Sequence, residues 1–164
     1  MINTRLQSLL DAVQASYSIR QHALAFTAPE IAARSHVRGR ALAKVVVARD
    51  RAGAHVMAVL PASCRLDLDA LARVAGVEPL VLAPEAELKG LFPDCEPGAM
   101  PPFGKLYGLP VYVDACFPRN ERLYFQAGNH QEVVGMPYLE FERLAEPIIG
   151  EFCLHARKAR RDVA

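Results

Sequence analysis

Leu6, Leu9, Leu10 and Val13 recur at helical spacing, which predicts an amphipathic helix over residues 4 to 15. Tyr17 to His22 alternates between apolar and polar positions and reads as a strand. Thr27-Ala28-Pro29-Glu30 has the order of a capping box: the Thr27 hydroxyl accepts from the Glu30 amide, and Pro29 stands in the first turn. A short helix to about His36 follows. Residues 41 to 49 and 54 to 60 are valine-rich apolar runs separated by Asp50-Arg51-Ala52-Gly53, the signature of a β-hairpin. Asp67 caps a helix that runs through Ala75 and stops at Gly76.

Beyond that point the pattern shortens. Leu80 to Leu82 resembles a strand, and Pro84 to Leu91 a helix ending near Gly90. Pro110 to Ala115, Arg122 to Ala127 and Glu132 to Met136 read as three further strands, and about Pro137 to Leu144 as a helix. Residues 147 to 153 are ambiguous. This mixed order, with several hairpins and no repeat or linker, fits one α+β domain on a largely antiparallel sheet.

The composition agrees with that class. With 52% hydrophobic and 23% charged residues in a chain of 164, a sizeable core is expected and disorder is not. No apolar run approaches the roughly 20 residues that span a bilayer, and the start lacks a secretory apolar region, so a cytoplasmic protein without membrane attachment is expected. Cys64, Cys95, Cys116 and Cys153 are too widely spaced for a zinc ribbon or a redox pair; free, buried or half-buried structural thiols are expected.

A net charge of +1 argues against a nonspecific DNA binder, yet Arg34, Arg38, Arg40, Lys44 and Arg49 stand together with no acidic residue between 34 and 49. Solvated surface and a phosphate-contacting patch are both open for this cluster. The tail adds Arg157, Lys158, Arg160 and Arg161, for which solvated surface is expected.

Glu96-Pro97-Gly98-Ala99-Met100-Pro101-Pro102-Phe103-Gly104 specifies a rigid loop, since three prolines restrict φ and two glycines permit conformations that a Cβ forbids. Either a tight crossover or the wall of a small-ligand pocket would use it. Lys44 shares a strand face with Leu42 and Val46, so it must snorkel, find an anion or lose basicity. His130 follows Ala127-Gly128-Asn129 in a turn, where partial exposure is expected; it is either polar surface or a substrate contact. His36 is explained by a helix C-terminus. Asp114 orients a partner or caps the turn after its strand.

A GxSxG elbow, Walker loop, HExxH and GxGxxG after a strand are all missing, and the spacing of His and carboxylate residues offers no metal site. Neither a metal nor another cofactor is expected, and any catalysis must rest on positioning and backbone donors.

Taken together, Leu42-Ala43-Lys44, Gly98 through Gly104 and Ala127-Gly128-Asn129-His130, with Val59-Leu60-Pro61-Ala62-Ser63 and Leu109 to Asp114 between them, resemble the YbaK/prolyl-tRNA synthetase-associated domain family. The resemblance runs from about Tyr17 to Pro147 and places the chain as one such domain over 1–164, with a basic tail at 155–164. It implies a curved, mixed sheet flanked by helices, and a deacylase that hydrolyses the ester of a mischarged tRNA, often a tRNA for proline carrying alanine or cysteine. It assigns Gly98 and Pro102 to the aminoacyl pocket and Lys44 to the terminal adenosine and its phosphate. By extension Ala99, Met100, Pro101, Phe103, Gly104, Asp114, Gly128, Asn129 and His130 would line the substrate site, and Arg34, Arg38 and Arg40 would hold the acceptor stem. The implied partners are the tRNA acceptor end and an aminoacyl-tRNA synthetase. Two alternatives stay open: a noncatalytic tRNA- or synthetase-binding module, and a hydrolase of free aminoacyl esters.

Overall fold

In a computed structural model the chain is described over residues 1–154, so the basic tail lies outside the described residues. The elements are α1 (Thr4–Ala12), β1 (Ser18–Gln21), α2 (Ala28–Ser35), β2 (Leu42–Arg49), β3 (His55–Pro61), β4 (Arg65–Leu66), α3 (Leu68–Ala75), β5 (Val81–Leu82) and α4 (Glu85–Leu91). After a 3-10 turn at Gly104–Tyr107 come β6 (Val111–Asp114), β7 (Arg122–Gln126), β8 (Glu132–Pro137), α5 (Tyr138–Ala145), β9 (Ile148–Gly150) and β10 (Cys153–Leu154).

The helix signals act as their chemistry dictates. The Thr27–Glu30 capping box opens α2, Asp67 accepts from the Ala70 amide to open α3, and Gly76 closes α3 in the left-handed region at φ 65°. His36 closes α2 in that same region at φ 54°, without the help of a glycine.

The sheet runs β1-β8-β7-β2-β3-β6-β9, with β5 also on β2. It is mixed and mostly antiparallel: β2–β7, β3–β6 and β6–β9 are the parallel pairs. β9 is one resolution of the ambiguous 147–153 segment, lying beside β6, and β10 is the other, pairing with β4 in a separate small sheet. The central hairpin is apolar on both faces because both are covered. Ala43, Val47, Met57 and Val59 join one core with α1, α5 and the Pro/Gly loop, while Ala48, Val56, Ala58 and Leu60 join another with α3.

On its edge away from β3, β2 is paired with β7 only at Leu42 and Ala43 and with β5 only at Ala48 and Arg49. Between them lies an interval of β2 with no strand beside it. The Ala62 amide donates to the Leu42 carbonyl at 2.8 Å, and antiparallel alternation from that pair turns the amide and carbonyl of Val45 toward the interval.

Gly104 begins the 3-10 turn under close packing. A Cβ there would lie 2.6 Å from both the Leu109 carbonyl oxygen and Val111 Cγ2. Gly104→Ala is therefore expected to lower stability by about 1–3 kcal/mol, read as a lower urea midpoint with an unchanged denaturant slope. An unchanged midpoint would show that the turn yields easily.

Candidate functional site

The β2 interval opens into a cleft of about 190 Å³ lined by Phe26, Ala28, Ile31, Leu42, Ala43, Lys44, Val45, Gly98, Met100 and Gln126. That volume lies below the ~300–1,000 Å³ of pockets for drug-sized ligands and suits a small group. Of the residues singled out in the sequence, the fold brings Lys44, Gly98 and Met100 to this one place.

Lys44 is half-buried on β2, and its ammonium donates to the carbonyl of Cys64. Burial lowers its pKa from the usual lysine range. One of its three N–H donors is thereby used, which leaves two for an incoming anion.

Gly98 is exposed and has φ 85°, a conformation suited to glycine. The Ala99 amide donates to the Glu96 carbonyl at 3.0 Å, closing a turn, whereas the amides of Gly98 and Met100 on either side have no protein acceptor among the described residues. The cleft wall thus carries two backbone donors with unused capacity.

The loop is held in place by the turn between β7 and β8. Gly128 donates to the Ala99 carbonyl and accepts from the Glu96 amide, each at 2.8 Å. The Glu96 carboxylate accepts from the His130 amide at 3.0 Å. His130 Nε2 lies 2.9 Å from the Pro97 carbonyl oxygen, and Nδ1 lies 3.2 Å from Gln126 Nε2. With a proton on Nε2 the ring donates to Pro97 while Nδ1 accepts from Gln126, which satisfies both contacts.

The expectation of a partly exposed His130 is corrected: it is 6% exposed, with Phe26 packed on it at 4.8 Å between ring centroids. Both ring nitrogens are engaged, so it positions the loop. Asn129 is similarly occupied, donating to the Met1 carbonyl and to Glu132, and accepting from the Gln131 amide. Gly128 has φ 104°, and a Cβ on it would meet that of Asn3 at 3.0 Å.

Ala99, Pro101, Pro102, Phe103 and Gly104 are buried and do not line the cleft. Of the small residues at the cleft wall, Gly98 is where the resemblance placed it, and Ala28 and Ala43 stand where Ala99 and Pro102 were expected. Phe103 packs edge-on against Phe125 and Phe141, anchoring the loop in the core. Asp114 stands elsewhere as well. Its carboxylate accepts from the amides of Cys116, Phe152 and Cys153 at 2.8, 2.7 and 2.9 Å. Burial would raise its pKa, but these donors hold it below the usual carboxylate range.

Arg34, Arg38 and Arg40 are all exposed, and Arg40 pairs with Glu121 at 2.8 Å. Arg38 borders a shallow depression of about 350 Å³ with Arg20, Arg122, His36, Tyr124 and the acidic Glu121, adjoining the cleft through the neighbours Ala41 and Leu42. Arg20 lies over the Tyr124 ring at 4.7 Å. Sequence reading missed Arg20 and Arg122, whose strands are far apart in the chain and are brought together by pairing on β8. It also missed Phe26 and Ile31, although these occupy the N′ and N4 positions of the capping box, where a hydrophobic staple is expected. Gln126 carries no signal in a single sequence.

Comparison with known proteins adds a family. Residues 22–144 match the profile of the aminoacyl-tRNA editing domain. The structure of hypothetical protein APE2540 superposes with a TM-score of 0.81 at 19% identity, covering 92% of this chain and 99% of that one. A protein proposed as a trans-editing enzyme for prolyl tRNA synthetase superposes at 0.78 with 20% identity, covering 92% and 95%. At these identities the likeness is one of fold. No curated protein matches the chain.

If His130 positions the loop, His130→Ala is expected to speed hydrogen exchange at the bonded amides of Glu96, Ala99 and Gly128 by at least about tenfold while the β2–β3 amides keep their protection. Unchanged exchange in the loop would remove that role.

Proposed function

We propose, proceeding from the membership of this chain in the aminoacyl-tRNA editing domain family, that it hydrolyses the ester joining a small, wrong amino acid to the 3′ end of a tRNA. The observation that carries this reading is the convergence of Lys44 with the unengaged amides of Gly98 and Met100 around a cleft of about 190 Å³. Among the described residues Lys44 is the only titratable side chain lining that cleft, so the reading relies on backbone donors. Water adds to the ester carbonyl, and the oxygen that becomes negative accepts from the Gly98 and Met100 amides. Collapse breaks the acyl C–O bond, and the proton from water passes to the departing ribose oxygen. The products are a free amino acid and a tRNA with its terminal hydroxyl restored.

An aminoacyl ester is already activated, so positioning and oxyanion stabilisation suffice without a side-chain nucleophile. The outward carbonyl of Val45 accepts from the substrate ammonium, and the free donors of Lys44 meet a phosphate of the acceptor end. The exposed ring of Phe26 offers a stacking face for the terminal base. Arg20, Arg34, Arg38 and Arg122 hold the stem beside it. Ile31 and Met100 limit acyl size, which favours alanine or cysteine over larger groups. A proline tRNA is the proposed carrier, in line with the description of one structural neighbour, and a cytoplasmic setting beside a synthetase goes with it. Among the described residues no helix is long and apolar enough to cross a membrane.

A panel of mischarged tRNAs tests the activity. Alanyl- and cysteinyl-tRNA for proline are expected to lose their amino acid at least about tenfold faster than in buffer, a barrier reduction of about 1.4 kcal/mol or more, with prolyl-tRNA spared. Loss of no ester in the panel would overturn the deacylase reading, and tRNA binding without hydrolysis would favour the noncatalytic module. Lys44→Ala is expected to lower kcat/KM by about 100-fold or more, about 2.7 kcal/mol, in a domain that still melts cooperatively. Wild-type turnover would remove the role given to Lys44. Charge reversal at Arg38 and Arg122 is expected to raise KM and flatten its salt dependence with kcat retained; an unchanged KM would exclude the stem contact.

A further inference from the structure

Three of the four cysteines, far apart in the chain, meet at the ends of β6 and β10. An Asp114 carboxylate oxygen and the sulfurs of Cys116 and Cys153 all lie within 4.8 Å of one another. The Cys116 thiol contacts both Asp114 and Cys153, and the Cys153 thiol also contacts Cys64. Topology enforces this meeting. Cys116 lies in the turn after β6, Cys153 begins β10, and Cys64 immediately precedes β4, the partner strand of β10. Three backbone amides fix the Asp114 carboxylate in orientation before any ligand arrives.

We propose that Asp114, Cys116 and Cys153, completed by Cys64, form a binding site for one zinc-class divalent cation. The donor set is that of a soft, tetrahedral ion: thiolate sulfur with one carboxylate oxygen. Sulfurs about 2.3 Å from such an ion stand about 3.8 Å apart, so the sulfurs of Cys116 and Cys153 need to draw in by no more than about 1 Å from the observed limit, and Cys64 joins from its contact with Cys153. Asp114 Oδ2 accepts from the amides of Phe152 and Cys153, whereas Oδ1 accepts from the Cys116 amide alone and retains lone-pair capacity for an ion. Cys116 is exposed, which gives the ion a way in, while Asp114 and Cys64 are buried beneath it.

Without an ion, burial and the neighbouring carboxylate push the Cys116 thiol up to about 11 and raise that of Cys153 as well. A bound dication reverses this preference, and each thiol that coordinates gives up its proton to solvent. Three thiolates and a carboxylate around a dication carry a net charge of −2, and Lys44 is one compensating cation nearby. It feels the charges of Cys64 and Cys153, and its ammonium is hydrogen-bonded to the Cys64 carbonyl. The same backbone segment therefore contacts both the thiol cluster and the lysine of the cleft.

Cobalt(II) added to the reduced protein under argon is the direct probe. One ion per chain is expected to give thiolate-to-cobalt charge-transfer bands and the strong visible bands of tetrahedral coordination, with zinc displacing it and raising the melting temperature. Cys116→Ser and Cys153→Ser, each first shown by circular dichroism to be folded, are expected to lose these bands, whereas Cys95→Ser keeps them. Absence of charge-transfer bands in the wild type, or bands that persist in the Cys116→Ser/Cys153→Ser double variant, would overturn the site. Neither readout involves tRNA, so a failure here leaves the deacylase reading separately testable.

Discussion

The hydrogen bonds between the 96–100 loop and the 127–130 turn are the constraint on which the cleft depends. A loop with prolines at 97, 101 and 102 has few amides with which to pair. Its attachment comes from carbonyls, one carboxylate and a histidine: Ala99 and Pro97 accept, the Glu96 carboxylate accepts, and the Glu96 amide donates to Gly128. Because His130 is buried and engaged at both nitrogens, the loop is tied where a substrate would press on it. Phe103 fixes its far end among Phe125 and Phe141. The intervening amides of Gly98 and Met100 are then presented without a protein partner.

The opposite wall follows from an interruption in the sheet. Had β7 and β5 covered the whole edge of β2, Val45 would be an ordinary ladder residue and the cleft would be closed. Their short pairings instead leave the lysine-bearing stretch of β2 open. Placing Lys44 there has an energetic cost, seen in its lowered pKa, and the Cys64 carbonyl offsets part of it. A bound phosphate would offset more. A residue held in this way suits binding better than stability, as expected where function and folding compete.

Much of the fold was legible in the sequence because its signals are local. Thr27 with Glu30, Asp67 with Gly76, and the valine runs flanking Asp50 to Gly53 each carry their own stereochemistry, and each forms the element it announces. The segment 147–153 was not legible, because β9 and β10 are three and two residues long and exist only through pairing with β6 and β4. The site was legible in part. Lys44 stood out as a cation in an apolar strand, and the loop stood out through its prolines and glycines. Burial of His130 was hidden because it results from Phe26 and Pro97 closing over a turn that by composition alone belongs at the surface. The gathering of Cys64, Cys116 and Cys153 was hidden for the same reason, since no sequence spacing encodes contact between β4, β6 and β10.

The central claim is that an aminoacyl group sits between the Gly98–Met100 wall and the open edge of β2. A nitrogen-15 NMR titration with an alanyl-adenosine analogue, its ester replaced by an amide so that it resists hydrolysis, tests this most directly. The amide resonances of Gly98, Met100 and Val45 are expected to shift together and saturate with one affinity, while those of α5 stay in place. Saturable shifts confined to residues outside the cleft, with Gly98, Met100 and Val45 unmoved, would contradict the account.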